Sequence, residues 1–163
     1  MSLIKHNPKI SALIHGLKLI TSLFLLLLLS SCSKPQYPLI SGNKITIPDE
    51  NGWILVNYWA PWCAPCLEEI PEINHLAADL PAPLVAVVGV YFDATTNLKL
   101  KAQIKKYNIT FNILDANTID FPVPLPNMLP ANFLISPLGK IHGPLLGPQS
   151  YASILKAIDT YKK

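Results

Sequence analysis

Two cysteines separated by two residues stand between an apolar run and a helical pattern. The octapeptide Trp59-Ala60-Pro61-Trp62-Cys63-Ala64-Pro65-Cys66 follows Trp53-Ile54-Leu55-Val56-Asn57-Tyr58. At a strand-to-helix junction this spacing has the geometry of a redox-active dithiol. The first thiol would sit at a helix N-terminus, where free backbone N–H groups and the macrodipole favour an anion. Thiol–disulfide exchange needs that anion, because the thiolate is the attacking species. A fall in the Cys63 pKa from about 8.5 to about 7 would raise its thiolate fraction at neutral pH from roughly 3% to roughly 50%. Nucleophilicity falls with basicity, at a Brønsted slope of about 0.4–0.5, so the net gain in attack is only around threefold. The larger gain is in leaving-group ability when Cys66 attacks the mixed disulfide. Cys63 is therefore the expected nucleophile and Cys66 the resolving thiol.

A metal clip or an inert disulfide would use the same two residues. Two thiolates leave a tetrahedral zinc site two ligands short, and no second Cys-x-x-Cys or His-x-x-x-His pair supplies the rest. No metal and no cofactor is expected. Glu69 follows Cys66 by three residues, nearly one turn, so both side chains can share a helix face. A partly buried carboxylate there would have a raised pKa and could exchange protons with the thiols. The plainer reading of Glu68, Glu69 and Glu72 is an acidic helix start favoured by the dipole. His75 and His142 are isolated and read as satisfied or exposed side chains.

The elements that must position these residues are legible as patterns. Trp53–Trp59 and Leu84–Tyr91 are near-continuous apolar runs, as expected of parallel strands covered on both faces. Between them Cys66, Ile70, Ile73, Ala77 and Leu80 recur at helical spacing, with a kink expected at Pro71. Leu100, Ile104 and Tyr107 mark a second helix, capped near Asp93–Thr96. Ser136-Pro137-Leu138-Gly139 fits a type I turn joining strand Asn132–Ile135 to strand Lys140–His142. A last helix is expected to bury Tyr151, Ile154, Leu155 and Ile158. Ile45-Thr46-Ile47 suits a short edge strand, Trp53 a core position, and Trp62 a place beside the cysteines in contact with partners. The order β-α-β-α-β-β-α predicts an α/β domain with a mixed parallel and antiparallel sheet and helices on both faces.

From about Ile45 onward the chain resembles the thioredoxin-like superfamily, and within it the membrane-attached TlpA/ResA-like thiol–disulfide oxidoreductases of bacteria. The residues that carry the resemblance are Trp62-Cys63-Ala64-Pro65-Cys66, then Glu69 and Pro71, then Leu129-Pro130-Ala131-Asn132-Phe133-Leu134-Ile135. The resemblance implies a thioredoxin-like three-layer fold and protein disulfide or dithiol substrates. It also implies, for a reductant, an upstream membrane electron donor. A frequent substrate in that family is the Cys-x-x-Cys-His haem site of apocytochrome c. Pro130 matches the family's cis-proline that faces the cysteines, and a cis X–Pro bond costs only about 0.5–1 kcal/mol over trans. Thioredoxin itself usually places an Asp on the preceding strand, where this chain has Asn57. The family carries its acid at the position of Glu69.

Trp62 and Leu129 are the expected substrate contacts. Leu129 departs from the Thr or other polar or branched residue that reductants of the superfamily commonly carry there. The segment Phe121-Pro122-Val123-Pro124-Leu125-Pro126-Asn127-Met128 is richer in proline than the family's usual loop. Ala60 stands where a thiol peroxidase of the neighbouring branch would carry Thr or Ser. Three functions remain open at this level: a dithiol reductant, a disulfide oxidant or isomerase using the same cysteines, and a thiolate module that delivers copper. The first two differ only in reduction potential, and about 30 mV is 1.4 kcal/mol in this two-electron couple.

The N-terminus reads as an export signal. Lys5, Lys9 and Lys18 precede an apolar core from Leu19 to Leu29, too short to span a bilayer comfortably, and no acidic residue precedes Asp49. The signal over residues 1–31 ends in Leu29-Ser30-Ser31-Cys32, which resembles a bacterial lipoprotein box, so Cys32 is the expected lipidated residue. Residues 32–44 are expected to form the lipidated cysteine and a tether, and residues 45–163 the domain. The expected location is a bacterial cell envelope facing the periplasm. Ser33 after the anchor favours the outer membrane over the inner in a Gram-negative cell. The 163-residue chain carries a net charge of +3 from thirteen basic and ten acidic residues. Three of those basic residues lie before Cys32, which leaves ten against ten in the remainder. The basic balance therefore belongs to the leader, and no nucleic-acid partner is expected. One domain without repeats, acting as a monomer, is the expectation.

Overall fold

The strand that leads to the cysteines is buried along its whole length. In a computed structural model, which describes residues 34–80 and 84–162, Trp53–Trp59 forms the centre of a five-stranded sheet. In chain order the elements are β1 (Gln36–Pro38), β2 (Lys44–Thr46), β3 (Trp53–Trp59), α1 (Ala64–Asp79), β4 (Val85–Tyr91), α2 (Asn97–Lys106), β5 (Asn112–Ile113), β6 (Ala131–Ile135), β7 (Ile141–Leu146) and α3 (Tyr151–Tyr161). The sheet runs β5-β4-β3-β6-β7. β3, β4 and β5 are parallel, while β6 is antiparallel to both β3 and β7. The expected mixed sheet is present, and Ser136–Gly139 closes the β6–β7 hairpin through a Gly139 N–H bond to the Ser136 carbonyl at 2.8 Å.

Period-two alternation divides β3 between two cores. Leu55 and Trp59 join Cys66, Ile70, Ile73 and Leu76 of α1, Leu100 of α2, and Ile154 and Ile158 of α3. Ile54, Val56 and Tyr58 face Leu39, Ile47, Leu114 and Val123. The chain steps from β3 to β4 to β5 in one direction across the sheet. Right-handed crossovers therefore place α1 and α2 on the same face. The covering of the second face differs from expectation in this detail: among the described residues it is closed by the N-terminal segment and the loop before β6, with no helix.

That covering overturns the reading of residues 34–44 as a tether. β1 pairs antiparallel with β2, with Tyr37 opposite Ile45. Leu39 is 5% exposed and bridges to Leu114. Ile40 N–H donates to the Ile113 carbonyl, and Asp115 N–H to the Pro38 carbonyl, each at 2.9 Å. Gly42, at φ +92, turns the hairpin in a conformation that side chains rarely adopt. The strand expected at Ile45–Ile47 thus belongs to this hairpin and not to the edge of the main sheet. The apolar residues Tyr37, Leu39 and Ile40 are too few to show a period, yet they cover the face that no helix covers. Cys32 and the leader lie outside the described residues.

Local chemistry sets the helix ends. Thr96 caps α2 through its hydroxyl and Ser150 caps α3 in a reciprocal capping box with Ser153. α1 runs as one helix across Pro71. It begins on Cys63, which is where the site begins.

Candidate active site

β3 ends at Trp59, and the Cys63 N–H donates to the Ala60 carbonyl at 3.1 Å, turning the chain into α1. Cys63 is the N-cap, with extended backbone angles, and its Sγ accepts the Cys66 N–H at 3.2 Å. Pro65 occupies the first turn, where its missing N–H leaves no helix bond unmade. Cys63 and Cys66 are joined in a disulfide with their Cα atoms 5.3 Å apart. Cys63 is 5% exposed and Cys66 fully buried. The same N–H that meets the Cys63 sulfur here would meet a thiolate in the reduced protein, where it and the helix terminus favour the anion.

Glu69 is buried to 1% exposure, three residues further along the same helix. Its carboxyl collects donors from three other parts of the chain. Asn57 Nδ2 of β3 donates to Oε1 at 2.6 Å. Asn132 Nδ2 of β6 donates to Oε1 at 3.3 Å and to Oε2 at 3.1 Å. The Gln149 N–H, just before α3, donates to Oε2 at 2.9 Å. Burial pushes the Glu69 pKa up to about 7, against these three hydrogen-bond donors, which lower it. Glu68 is exposed and lies beyond the first turn of α1, which holds no acidic residue, so the plain helix-start reading does not hold for it. Glu72 accepts the Tyr151 N–H at 2.9 Å, on the first turn of α3.

Pro130 follows a cis peptide bond from Leu129 and is buried at the start of β6. Its carbonyl accepts the Gly147 N–H at 3.1 Å. Leu129 is half-buried and packs against the core cluster that contains both cysteines. Trp62 is 62% exposed beside Cys63. Its indole N–H donates to Asp93 Oδ2 at 2.7 Å and its ring meets Phe92 edge-on. Asp93 thus holds in place an apolar ring that would otherwise swing free.

Two residues of the carboxyl site were not picked out from sequence as site residues, Asn132 and Gln149. Asn57 was singled out only for its inability to titrate. The signal for Asn132 was present: Asn57 and Asn132 are lone amides in otherwise apolar strands, and they face each other in the β3–β6 register. Gln149 acts through its backbone, which no residue type reveals. His75 stacks on Tyr151 and His142 on Tyr161, each with an aromatic partner. Among the described residues no cluster of three His, Cys, Asp or Glu side chains is arranged to hold a metal ion.

The chain can be set beside known proteins on this geometry. It is 29% identical over 113 residues to the thiol-disulfide oxidoreductase ResA of Bacillus cereus, covering 68% of this chain and 65% of that protein. It is 33% identical over 94 residues to the thioredoxin-like protein YneN of Bacillus subtilis, covering 51% of this chain and 55% of that protein. The chain therefore spans somewhat less than two thirds of these relatives. Among solved structures, StoA from Bacillus subtilis matches with a TM-score of 0.59 at 21% identity, covering 79% of this chain and 96% of that one. A thiol-disulfide isomerase from Corynebacterium glutamicum matches with a TM-score of 0.62 at 15% identity, covering 78% and 92%. These likenesses show the fold, which is thioredoxin-like. The AhpC/TSA family matches residues 33–143, a span that holds both cysteines, Glu69 and Pro130, and the chain belongs to that family.

Proposed function

We propose that this protein is an extracytoplasmic thiol–disulfide oxidoreductase that reduces disulfides in other proteins, apocytochrome c among the candidates. The observation that carries this reading is the Cys63–Cys66 pair bonded at the N-terminus of α1, with the buried Glu69 carboxyl on the same helix. The name of the relative ResA, a thiol-disulfide oxidoreductase, supports the exchange chemistry but not its direction.

In the reduced protein the Cys63 thiolate attacks one sulfur of a substrate disulfide. That S–S bond breaks, the departing substrate sulfur takes up a proton, and Cys63 is left in a mixed disulfide. Cys66 then loses its proton to the Glu69 carboxylate and attacks the Cys63 sulfur. The second substrate sulfur leaves and is protonated, two electrons have passed to the substrate, and the Cys63–Cys66 disulfide remains. A membrane dithiol donor restores the reduced pair. Trp62 and Leu129 form the surface against which the substrate chain lies, with the buried Pro130 fixing the backbone behind Leu129. An oxidant would run the same bonds in reverse, and a couple near −270 mV or below favours reduction while one near −120 mV favours oxidation.

The protein works as a monomer anchored by lipid on Cys32, facing the periplasm, with the outer membrane favoured. The Leu29-Ser30-Ser31-Cys32 box supports this, and more than one acyl chain gives stable anchoring where a single chain would not.

Three outcomes follow from this reading. Cys66→Ser traps substrate through Cys63 in a mixed disulfide detectable by non-reducing gel and mass spectrometry; an adduct found on Cys66 in Cys63→Ser instead would reverse the roles. Cys32→Ser shifts the protein from the membrane fraction to the soluble one or leaves an unprocessed precursor, while the purified domain keeps its disulfide reductase activity. An unmodified Cys32 in the mature membrane fraction would contradict the anchor.

The third concerns Glu69. Its folded-state pKa of about 7 lies above the unfolded 4.5, so the folded protein holds a proton that the unfolded chain releases. Stability from this group is therefore complete below about pH 4.5 and is lost as pH rises through about 7. The change is on the order of 3 kcal/mol. Glu69→Gln removes it: between pH 5 and 8 the variant loses less stability than wild type in chemical denaturation, and disulfide exchange is slowed. Parallel stability curves for the two proteins would show that Glu69 does not titrate in this range.

A further inference from the structure

We propose that Asn132 is a positioning residue that, together with Asn57, sets the proton affinity of Glu69. Its consequence for thiol exchange rests on the reading above, in which Glu69 exchanges protons with the cysteines.

Asn57 and Asn132 are fully buried and directly opposite each other across β3 and β6. Asn57 Nδ2 donates both to Glu69 Oε1 at 2.6 Å and to Asn132 Oδ1 at 3.0 Å. Asn132 Nδ2 serves both carboxyl oxygens, and the Gln149 N–H serves Oε2. Every group that meets the carboxyl donates. An ionised carboxylate only accepts, so the arrangement fits it without remainder. A protonated Glu69 carries a hydrogen and finds no acceptor turned towards it.

Rotating the amides does not repair this. Turning Asn57 alone offers an oxygen to the Glu69 proton but sets that oxygen against Asn132 Oδ1. Turning Asn132 alone sets its nitrogen against Asn57 Nδ2. Turning both leaves one amide oxygen facing an unprotonated carboxyl oxygen. Each protonated arrangement therefore contains one contact between like partners, whereas the ionised one contains none. The ionised arrangement also leaves Asn57 Oδ1 without a partner. An unmet buried acceptor is costly, and here it accompanies the direction of both Asn57 N–H bonds towards Glu69 and Asn132.

The groups around the carboxyl leave this balance to neutral donors. On α1 the titratable neighbours are the fully buried Cys66 and the half-buried Glu72, and Glu68 is exposed. β3 and β6 present the two amides, and the start of α3 presents backbone N–H groups to Glu69 and Glu72. Among the described residues no lysine or histidine pairs with Glu69; the ion pair present is Lys34–Glu50. Burial raises the Glu69 pKa and the amide donors lower it, so removing a donor moves the midpoint upward.

The experiment titrates Glu69 in the full chain, oxidised, by the carboxyl signal of carbon-13-labelled glutamate, identified by its loss in Glu69→Gln. Asn132→Leu keeps roughly the volume and removes the donor. It is expected to raise the Glu69 midpoint by about one pH unit, a tenfold gain in proton affinity. Asn132→Ser keeps one donor and moves the midpoint less, and Asn57→Ser moves it in the same direction, so the test survives if Asn132→Leu does not fold. In the reduced protein the pH profile of Cys63 alkylation moves with the midpoint. A midpoint shared by wild type and the folded variants overturns the role of Asn132. A midpoint that moves while the alkylation profile stays in place upholds that role and overturns proton exchange between Glu69 and the thiols.

Discussion

A carboxyl group taken out of water needs hydrogen-bond partners, and Glu69 draws them from separate parts of the chain. α1 carries it, β3 and β6 supply the Asn57 and Asn132 amides, and the segment before α3 supplies the Gln149 N–H. The requirement fixes register. Sliding β6 by one residue against β3 would turn Asn132 to the opposite face and bring Ala131 or Phe133 opposite Asn57 in its place. It also fixes the rotation of α1, because Glu69 must point at the sheet while Ile70 and Ile73 enter the core beside it. Cys63 and Cys66 inherit their places from that rotation.

Two electrostatic demands then share one helix. Its N-terminus favours a negative sulfur at Cys63, through the Cys66 N–H and the terminal dipole. Its buried face, between one and two turns on, holds a carboxyl whose pKa burial pushes up to about 7. The two cysteines differ accordingly. Cys63 caps the helix and borders the exposed Trp62, whereas Cys66 is enclosed and has no solvent to take its proton. A thiol in that position needs a base inside the protein, and the proposed function gives that part to Glu69, three residues on along the same helix.

Much of this was legible in the sequence because it depends on local spacing. The Cys63–Cys66 interval, the apolar run Trp53–Trp59 and the turn at Ser136–Gly139 are short-range signals, and Glu69 follows from helical periodicity. The residue-level match at Pro130 came from resemblance, since no local pattern requires a cis bond there. What escaped the sequence depends on contacts between distant segments. Gln149 meets Glu69 across eighty positions through a backbone group. Tyr37 and Leu39 looked like tether because their apolar character has a purpose only once the second face of the sheet exists without a helix to cover it. Asn132 was visible as a polar residue in a buried strand, but its role depends on standing opposite Asn57.

In the proposed function Glu69 takes the Cys66 proton, so in the reduced protein the two titrate as a pair. The most direct test of the account is the reduction potential of the Cys63–Cys66 couple followed from pH 5 to 9, in wild type and in Glu69→Gln. Each proton taken up on reduction adds about 30 mV per pH unit to the slope. Ionisation of Cys63 bends both curves; the account predicts a further change of slope around neutral pH in the wild type that the variant lacks, because reduction alters the proton affinity of Glu69. Two curves of the same shape, separated by a constant offset, would contradict it.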